Sequence, residues 1–190
     1  MKKILCVLLL FVIGCTPKTT MIEIQKHVYV EKEFKDSWLE MNEFGDSYIK
    51  EELQGGYGYS YDDQYLEIFF NSGGKIELYN YSIKKDNLII SGEMIPPATI
   101  RLVHPHLDNV TSEGVIIHEL GHYFDEKHQF SSSKQFTELY KKYRTLFNQK
   151  TKKEYFAECF KEYVGGHQEK VKPFHSYMKT ITQKIRQKNK

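Results

Sequence analysis

The 190-residue chain has few cysteines, little net charge and only one long apolar run. Three cysteines are too few for a disulfide-rich scaffold, in which bridges replace a large hydrophobic core. A formal net charge of +2 argues against a nucleic-acid-binding protein, which carries a strongly basic surface. The composition of a disordered chain is also lacking, since 40% of the residues are hydrophobic and 14% are aromatic. We therefore expect one compact domain, because two full-size domains would be cramped in this length.

The apolar run lies at the start of the chain and has the features of an export signal. Lys2 and Lys3 precede an apolar stretch over residues 4–13. This stretch is too short to cross a bilayer, which takes about 20 residues. The segment Val12-Ile13-Gly14-Cys15 resembles a bacterial lipobox, in which the cysteine is lipidated and becomes the new N-terminus. The alternatives are an ordinary signal peptide and a buried helix that begins the chain.

Processing at this site would divide the chain into three parts. We predict a signal peptide over 1–14 that is removed, a lipidated Cys15 with a short tether over 15–25, and a single domain over 26–190. Acylation of Cys15 would hold the exported domain on the outer face of the bacterial cell membrane. Cys159 would then be the one remaining thiol, and we interpret it as a buried apolar residue rather than a reactive nucleophile.

The near-neutral total conceals two regions of opposite charge. Residues 16–133 carry 10 basic and 20 acidic side chains, whereas residues 134–190 carry 15 basic and 5 acidic ones. We favour the interpretation that the basic residues lie on solvated helix faces that pair with the acidic part. A basic surface that steers acidic substrates or rests on anionic lipid is the alternative.

The periodicity of apolar residues predicts an α+β fold with a small, mostly antiparallel sheet. Helical spacing over residues 34–53 predicts an N-terminal helical segment. Alternation over 65–70 and 76–83, around the turn Asn71-Ser72-Gly73-Gly74, predicts a β-hairpin. Two further strands are expected over 88–90 and 100–103. Four helices then follow, over 115–127, from 131–133 to about 146, over 152–164, and after Pro173.

Two histidines on the first of these helices have the spacing of a metal site. His118 and His122 are four residues apart, so both imidazoles project from one face of a helix and can bind one ion. Glu119 follows the first histidine and is placed to act as a general base toward a water molecule. Zinc accepts neutral imidazole and carboxylate ligands in a tetrahedral site. The pattern therefore predicts one catalytic zinc ion.

A third protein ligand is expected from the helix over 152–164. Glu154 and Glu158 are also four residues apart, on a helix that is otherwise rich in Phe, Ala and Cys. Two carboxylates on one face of an apolar helix repel each other unless a cation neutralises them. One of them would bind the metal, and the other would hold a ligating histidine through its free N–H. The spacing alone does not assign the two roles.

Two segments together resemble the catalytic domain of anthrax lethal factor and the small secreted Pro-Pro endopeptidases that share that domain: His118-Glu119-Leu120-Gly121-His122-Tyr123-Phe124-Asp125 and Glu154-Tyr155-Phe156-Ala157-Glu158-Cys159-Phe160. The resemblance covers roughly residues 100–190 and includes a closing helix after Pro173. It implies that Glu154 binds zinc and that Glu158 supports a histidine. Asp125, one turn beyond His122, is a second candidate for such support.

The chain departs from this family at one position. The family places a tyrosine that stabilises the oxyanion seven residues before the zinc glutamate, but this chain has Phe147 there. Phe147 has no proton to donate, so Tyr143, one turn earlier, is the candidate for the role. Without a replacement the enzyme would be weakened, since removing one oxyanion donor typically costs about 100- to 1,000-fold in rate.

These observations predict a membrane-anchored zinc metalloendopeptidase that acts outside the cell on an extended peptide or protein substrate. The strand over 100–103 could pair with the substrate backbone. A monomer that binds no nucleic acid is expected, and the substrate itself, including any proline preference, is left open. A zinc-binding surface lipoprotein that is weakly active or inactive and serves as a binding module is the alternative, supported by Phe147.

Overall fold

The computed structural model describes residues 20–36, 64–80, 83–85, 88–103, 114–149 and 151–188. The strands in this part of the chain are β1 Met21–Gln25, β2 Val28–Glu31, β3 Lys75–Tyr79, β4 Ile83–Lys85, β5 Leu88–Ile90, β6 Gly92–Ile95 and β7 Thr99–Val103. The α-helices are α1 Gln64–Asn71, α2 Val115–His128, α3 Lys134–Tyr143, α4 Lys152–Val164 and α5 His175–Gln187. Short 3₁₀ helices cover Lys32–Phe34, Phe130–Ser132 and Gln168–Phe174.

Five of the strands form one mixed sheet in the order β1-β2-β3-β7-β6. The outer pairs β1–β2 and β6–β7 are antiparallel, and the inner pairs β2–β3 and β3–β7 are parallel. Strands β4 and β5 form a separate antiparallel pair. The α+β class is confirmed, although its central strands run parallel.

The position of β7 rules out one role that the sequence suggested for it. β7 pairs with β3 on one side and with β6 on the other, so neither of its edges is free for a substrate. The hypothesis that residues 100–103 pair with the substrate backbone is therefore wrong. Among the described strands, β6 is the one that ends the sheet on this side.

The predicted first strand of the hairpin is instead the helix α1. Its apolar run satisfies both periods, and the helix buries Tyr65, Leu66, Ile68 and Phe69 on one face. A tight turn joins α1 to β3 through Gly73, whose φ of 84° suits glycine. The predicted helical segment over 34–53 lies outside the described residues beyond position 36.

The four C-terminal helices are confirmed. Side-chain caps start two of them: the Ser133 hydroxyl accepts a hydrogen bond from the Phe136 N–H, and the Thr151 hydroxyl accepts one from the Glu154 N–H. Helix α3 ends at Tyr143, about one turn earlier than predicted. None of the helices in the described ranges is long and apolar enough to cross a membrane.

The core lies between the sheet and the helices and is rich in aromatic rings. Cys159 is fully buried, and burial raises the pKa of its thiol, which agrees with its interpretation as an apolar packing residue. The predicted apolar stripe of the last helix is buried as well: Phe174, Tyr177, Met178, Ile181 and Ile185.

Candidate metal centre

Helices α2 and α4 pack along each other and lie close together at Gly121. A Cβ atom at this position would lie 2.9 Å from the Cα of Ala157 and 3.2 Å from the Cβ of Phe160. A side chain at position 121 would therefore push the two helices apart. The absence of one lets α4 come near enough for its glutamates to reach the histidines of α2.

The side chains of His118, His122 and Glu154 converge between the two helices. One Glu154 oxygen, Oε2, lies 3.3 Å from the Nε2 atom of each histidine. The possible ligand atoms of the three residues all lie within 4.8 Å of one another. The cluster could therefore hold a metal ion, and two imidazoles with one carboxylate are among the donor sets that catalytic zinc sites use. The Glu154 side chain is 45% exposed, so the cluster can be reached from solvent.

Glu158 lies behind His118, on the side away from Glu154. Its Oε2 atom is 3.2 Å from His118 Nδ1, and its Oε1 atom is 2.8 Å from Lys161 Nζ. When His118 donates from Nδ1, its Nε2 is the ring nitrogen that can bind a metal. The structure therefore brings Glu154 to the Nε2 side of the histidines and Glu158 to the opposite side of His118.

The protonation equilibria of the cluster reflect these contacts. Burial alone would lower the pKa of His118, but its hydrogen bonds to Glu154 and Glu158 raise it to about 9. The hydrogen bonds from His118 and His122 hold the pKa of Glu154 well below its usual range. Burial opposes the same change at Glu158, where hydrogen bonds from His118 and Lys161 lower the pKa to about 2. Without metal, the two carboxylates act as counter-ions for the imidazolium.

Glu119 lies beside the histidines and is buried. Burial raises the pKa of its carboxyl group, although the charges of His118 and His122 and a backbone hydrogen bond from Met94, on the edge strand β6, act in the opposite direction. A general base needs a pKa near the working pH, so the direction of this shift suits the role. An open pocket of about 250 Å³ adjoins Glu119 and is lined by Ile90, Ser91, Gly92, Gly114, Val115, His118, Glu119 and Lys161.

Asp125 does not support a ligating histidine. One of its carboxylate oxygens accepts a hydrogen bond of 2.6 Å from the Ser131 N–H, and the other accepts one of 2.6 Å from the Ser131 hydroxyl. These bonds fix the 3₁₀ turn that follows α2. The spacing from His122 places Asp125 on the helix correctly, but the path of the chain after α2 brings Ser131 to it first.

Tyr143 is likewise not brought to the cluster. Its ring packs against Phe174, with centroids 6.1 Å apart, and the Lys142 ammonium lies over the same ring, 5.2 Å from its centroid. Its carbonyl oxygen accepts a hydrogen bond from the Tyr155 hydroxyl. Phe147 packs on the ring of Tyr155, with centroids 5.2 Å apart. Within the described ranges, Tyr143 therefore has packing contacts and none with the metal-ligand candidates.

Sequence reasoning missed two residues at the site. The Met94 N–H contacts Glu119, but a backbone donor on an edge strand leaves no sequence signal. Lys161, seven residues after Glu154, lines the pocket and binds Glu158. The spacing of three residues between Glu158 and Lys161 is a helical ion-pair signal that could have indicated it. The predicted lipidation site, Cys15, lies outside the described residues.

Comparison of the chain with protein-family models and with curated protein sequences returned no match.

Proposed function

We propose that the chain is a zinc metalloendopeptidase in which His118, His122 and Glu154 bind the metal and Glu119 is the general base. The observation that carries this proposal is the convergence of two imidazoles and one carboxylate, from two different helices, beside a buried glutamate. A site that only stores zinc has no use for a base with a raised pKa next to the ligands. The likeness of the two helical segments to the lethal factor domain supports the same reaction class.

The chain's own residues provide for both proton transfers of peptide hydrolysis. When bound, zinc supplies a Lewis acid that polarises the scissile carbonyl. Glu119 takes the proton of the attacking water and later gives it to the leaving amine. A backbone hydrogen bond from Met94 also favours the ionised form of Glu119. Glu158 orients the imidazole of His118 through Nδ1.

An extended peptide is the substrate class that the sheet favours. β6 is the terminal strand on its side of the sheet within the described ranges, and it lies against α2. An extended chain can add to such an edge through backbone hydrogen bonds. Because Met94 of β6 also contacts Glu119, a peptide on this edge would pass close to the base.

Cleavage of a quenched-fluorescence peptide library by the zinc-loaded chain tests the proposal. The matched control is Glu119→Gln, which keeps the size of the side chain but cannot take up a proton. We expect zinc-dependent cleavage by the wild type and its loss in Glu119→Gln, with zinc content unchanged. An absence of cleavage of any library member, in a chain that binds zinc, would contradict the enzymatic function.

The ligand assignment has its own test. Glu154→Ala should lose most of the bound zinc, because the variant lacks a direct ligand. Glu158→Ala should bind zinc about 10- to 100-fold more weakly, as is typical when a group that orients a ligand is removed. Zinc content after gel filtration separates the two results, and the reverse order would show that the two roles are exchanged.

A zinc-binding module without catalytic activity is the second candidate. Phe147 has no proton to donate and packs in an aromatic cluster, and within the described ranges the ring of Tyr143 contacts Phe174 and Lys142 but none of the metal-ligand candidates. The library assay decides between the candidates, since a module would bind zinc without cleaving any peptide.

We also propose that a lipid on Cys15 holds the domain at the outer face of the cell membrane. The lipobox-like segment supports this anchor. Partition of the expressed protein into the detergent phase of Triton X-114, and its loss in Cys15→Ser, is the expected result. Equal partition of the two proteins would contradict the anchor.

A further inference from the structure

A chain of ion pairs runs from the metal-ligand candidates along one side of α4. It begins where His118 Nδ1 lies 3.2 Å from Glu158 Oε2. The other oxygen of Glu158, Oε1, is 2.8 Å from Lys161 Nζ. The same ammonium group lies 3.7 Å from Glu162 Oε1. Charges of alternating sign thus lead away from His118.

The far end of this chain is fixed where α4 meets the next segment. Glu162 Oε2 lies 3.0 Å from Lys170 Nζ and 3.0 Å from His167 Nδ1. Both partners come after the end of α4, and the His167 N–H also donates to the Glu162 carbonyl. Glu162 therefore cannot turn away from Lys161 without breaking contacts to another part of the fold.

The burial of this chain is unusual for charged groups. The side chains of Glu158, Lys161 and Glu162 are 14%, 15% and 4% exposed. Removing charges from water is costly, and a buried ion pair is weak evidence of a gain in stability. Each charge in this chain holds the orientation of the next one. The network can therefore serve to position side chains and not only to stabilise the fold.

We propose that Lys161 is a positioning residue for the metal centre. It holds Glu158 Oε1, which turns Oε2 toward His118 Nδ1 and leaves His118 Nε2 facing the metal. Glu162, held by His167 and Lys170, keeps the Lys161 ammonium in place. The inference rests on the proposed metal centre and adds a residue to it that acts on the ion through Glu158 and His118.

The Glu158 carboxylate can change its orientation when the Lys161 ammonium is removed. Its negative charge would be left in a side chain that is only 14% exposed, with His118 as its remaining partner, and the carboxylate could rotate about its last torsion. A rotated Glu158 no longer fixes the tautomer of His118. Zinc affinity should then fall, because a ligand whose orienting partner is lost binds more weakly.

The same helix offers a matched control. Lys153 also forms an ion pair, with Glu126 at 3.2 Å, but these side chains are 63% and 48% exposed. An exposed pair contributes little. Lys153→Met therefore removes a lysine and an ion pair from α4 without touching the chain that leads to His118.

The experiment measures the zinc dissociation constant of the full chain by competition with a chelator, in wild type, Lys161→Met, Lys161→Arg and Lys153→Met. We expect Lys161→Met to bind zinc about 10-fold more weakly, Lys161→Arg to recover most of the affinity, and Lys153→Met to match the wild type. In the ¹⁵N spectrum of the zinc-loaded wild type, His118 should give the single signal of its Nδ1–H tautomer. In Lys161→Met that single signal should be lost. A double-mutant cycle should show Lys161→Met to have little further effect in Glu158→Gln.

Several results would overturn the inference. A Lys161→Met variant with wild-type zinc affinity would do so while leaving the metal centre intact. A lower melting temperature of the metal-free protein with an unchanged zinc dissociation constant would show that Lys161 only stabilises the fold. If Lys161→Met does not fold, Lys161→Gln takes its place with the same expectation. A wild-type chain that does not bind zinc would refute the metal centre and the inference together.

Discussion

The close approach of α2 and α4 makes Gly121→Ala an informative perturbation, because two effects of opposite sign compete. Alanine is the better helix former by about 1 kcal/mol in a helix interior. The new methyl group, however, would lie 2.9 Å from the Cα of Ala157 and 3.3 Å from its Cβ. Carbon atoms pack at about 3.5–4.0 Å, so the helices would have to separate by roughly 0.6–1 Å.

This displacement exceeds what a metal site tolerates. Forcing an extra methyl group into a packed interface costs about 1–3 kcal/mol, which outweighs the gain in helix propensity. Metal–ligand distances are held to about 0.2 Å, so moving Glu154 away from the two histidines by the full displacement should weaken zinc binding by 10-fold or more, on the order of the loss of an orienting group.

Two assays report on the separate effects. Urea unfolding of the metal-free protein should show a lower free energy of unfolding for Gly121→Ala, and chelator competition should show weaker zinc binding. The partial control is Gly121→Ala combined with Ala157→Gly, which removes the contact with the Cβ and should recover part of both losses. A Gly121→Ala variant that is more stable than the wild type and binds zinc normally would refute the close approach, since helix propensity alone would then decide the outcome.

Three further predictions follow from the contacts of single residues. The pKa of His118 is raised to about 9, so this histidine must lose a proton before zinc binds. Chelator competition, corrected for the chelator's own protonation, should show zinc affinity falling about tenfold per pH unit as the pH decreases from about 8 to 6. A flat profile would contradict the contacts of His118 with the two glutamates. Asp125→Ala should lower the free energy of unfolding in urea by about 1–3 kcal/mol, because it leaves the buried Ser131 N–H without its acceptor. Zinc affinity should stay at the wild-type value, and a large loss of bound zinc would show that Asp125 does support the metal site. In the cleavage assay Tyr143→Phe should keep kcat within about twofold, whereas loss of an oxyanion donor would lower it by about 100- to 1,000-fold.

The prediction failed most clearly where one stretch of sequence satisfied two patterns. The apolar residues over 65–70 suit a strand and a helix alike, and burial of one helical face against the core decided for α1. A strand close to residues 99–103 was correctly expected, but the sequence did not predict which strands lie beside it in the sheet. Strand order depends on contacts between distant segments, so only the sheet shows that β6 and not β7 lies at the edge.

The local part of the candidate metal centre was determined by the sequence itself. Four residues make about one helical turn, so His118 and His122 had to share a face once the segment was helical, and their ring centroids lie 4.9 Å apart. The same argument puts Glu154 and Glu158 on one face of α4. The start of α3 was also predicted, since its cap Ser133 belongs to the segment 131–133 from which the sequence began that helix.

Only the tertiary structure decided what those faces meet. The narrow gap at Gly121 brings Glu154 to the Nε2 atoms and Glu158 to His118 Nδ1. The spacing of two carboxylates on one helix does not tell which of them takes which role. Asp125 accepts a hydrogen bond from Ser131 instead of a histidine, and Lys161 contacts the site through its ion pair with Glu158. The helical period orders side chains within one element, whereas the partners of each side chain depend on how separate elements pack.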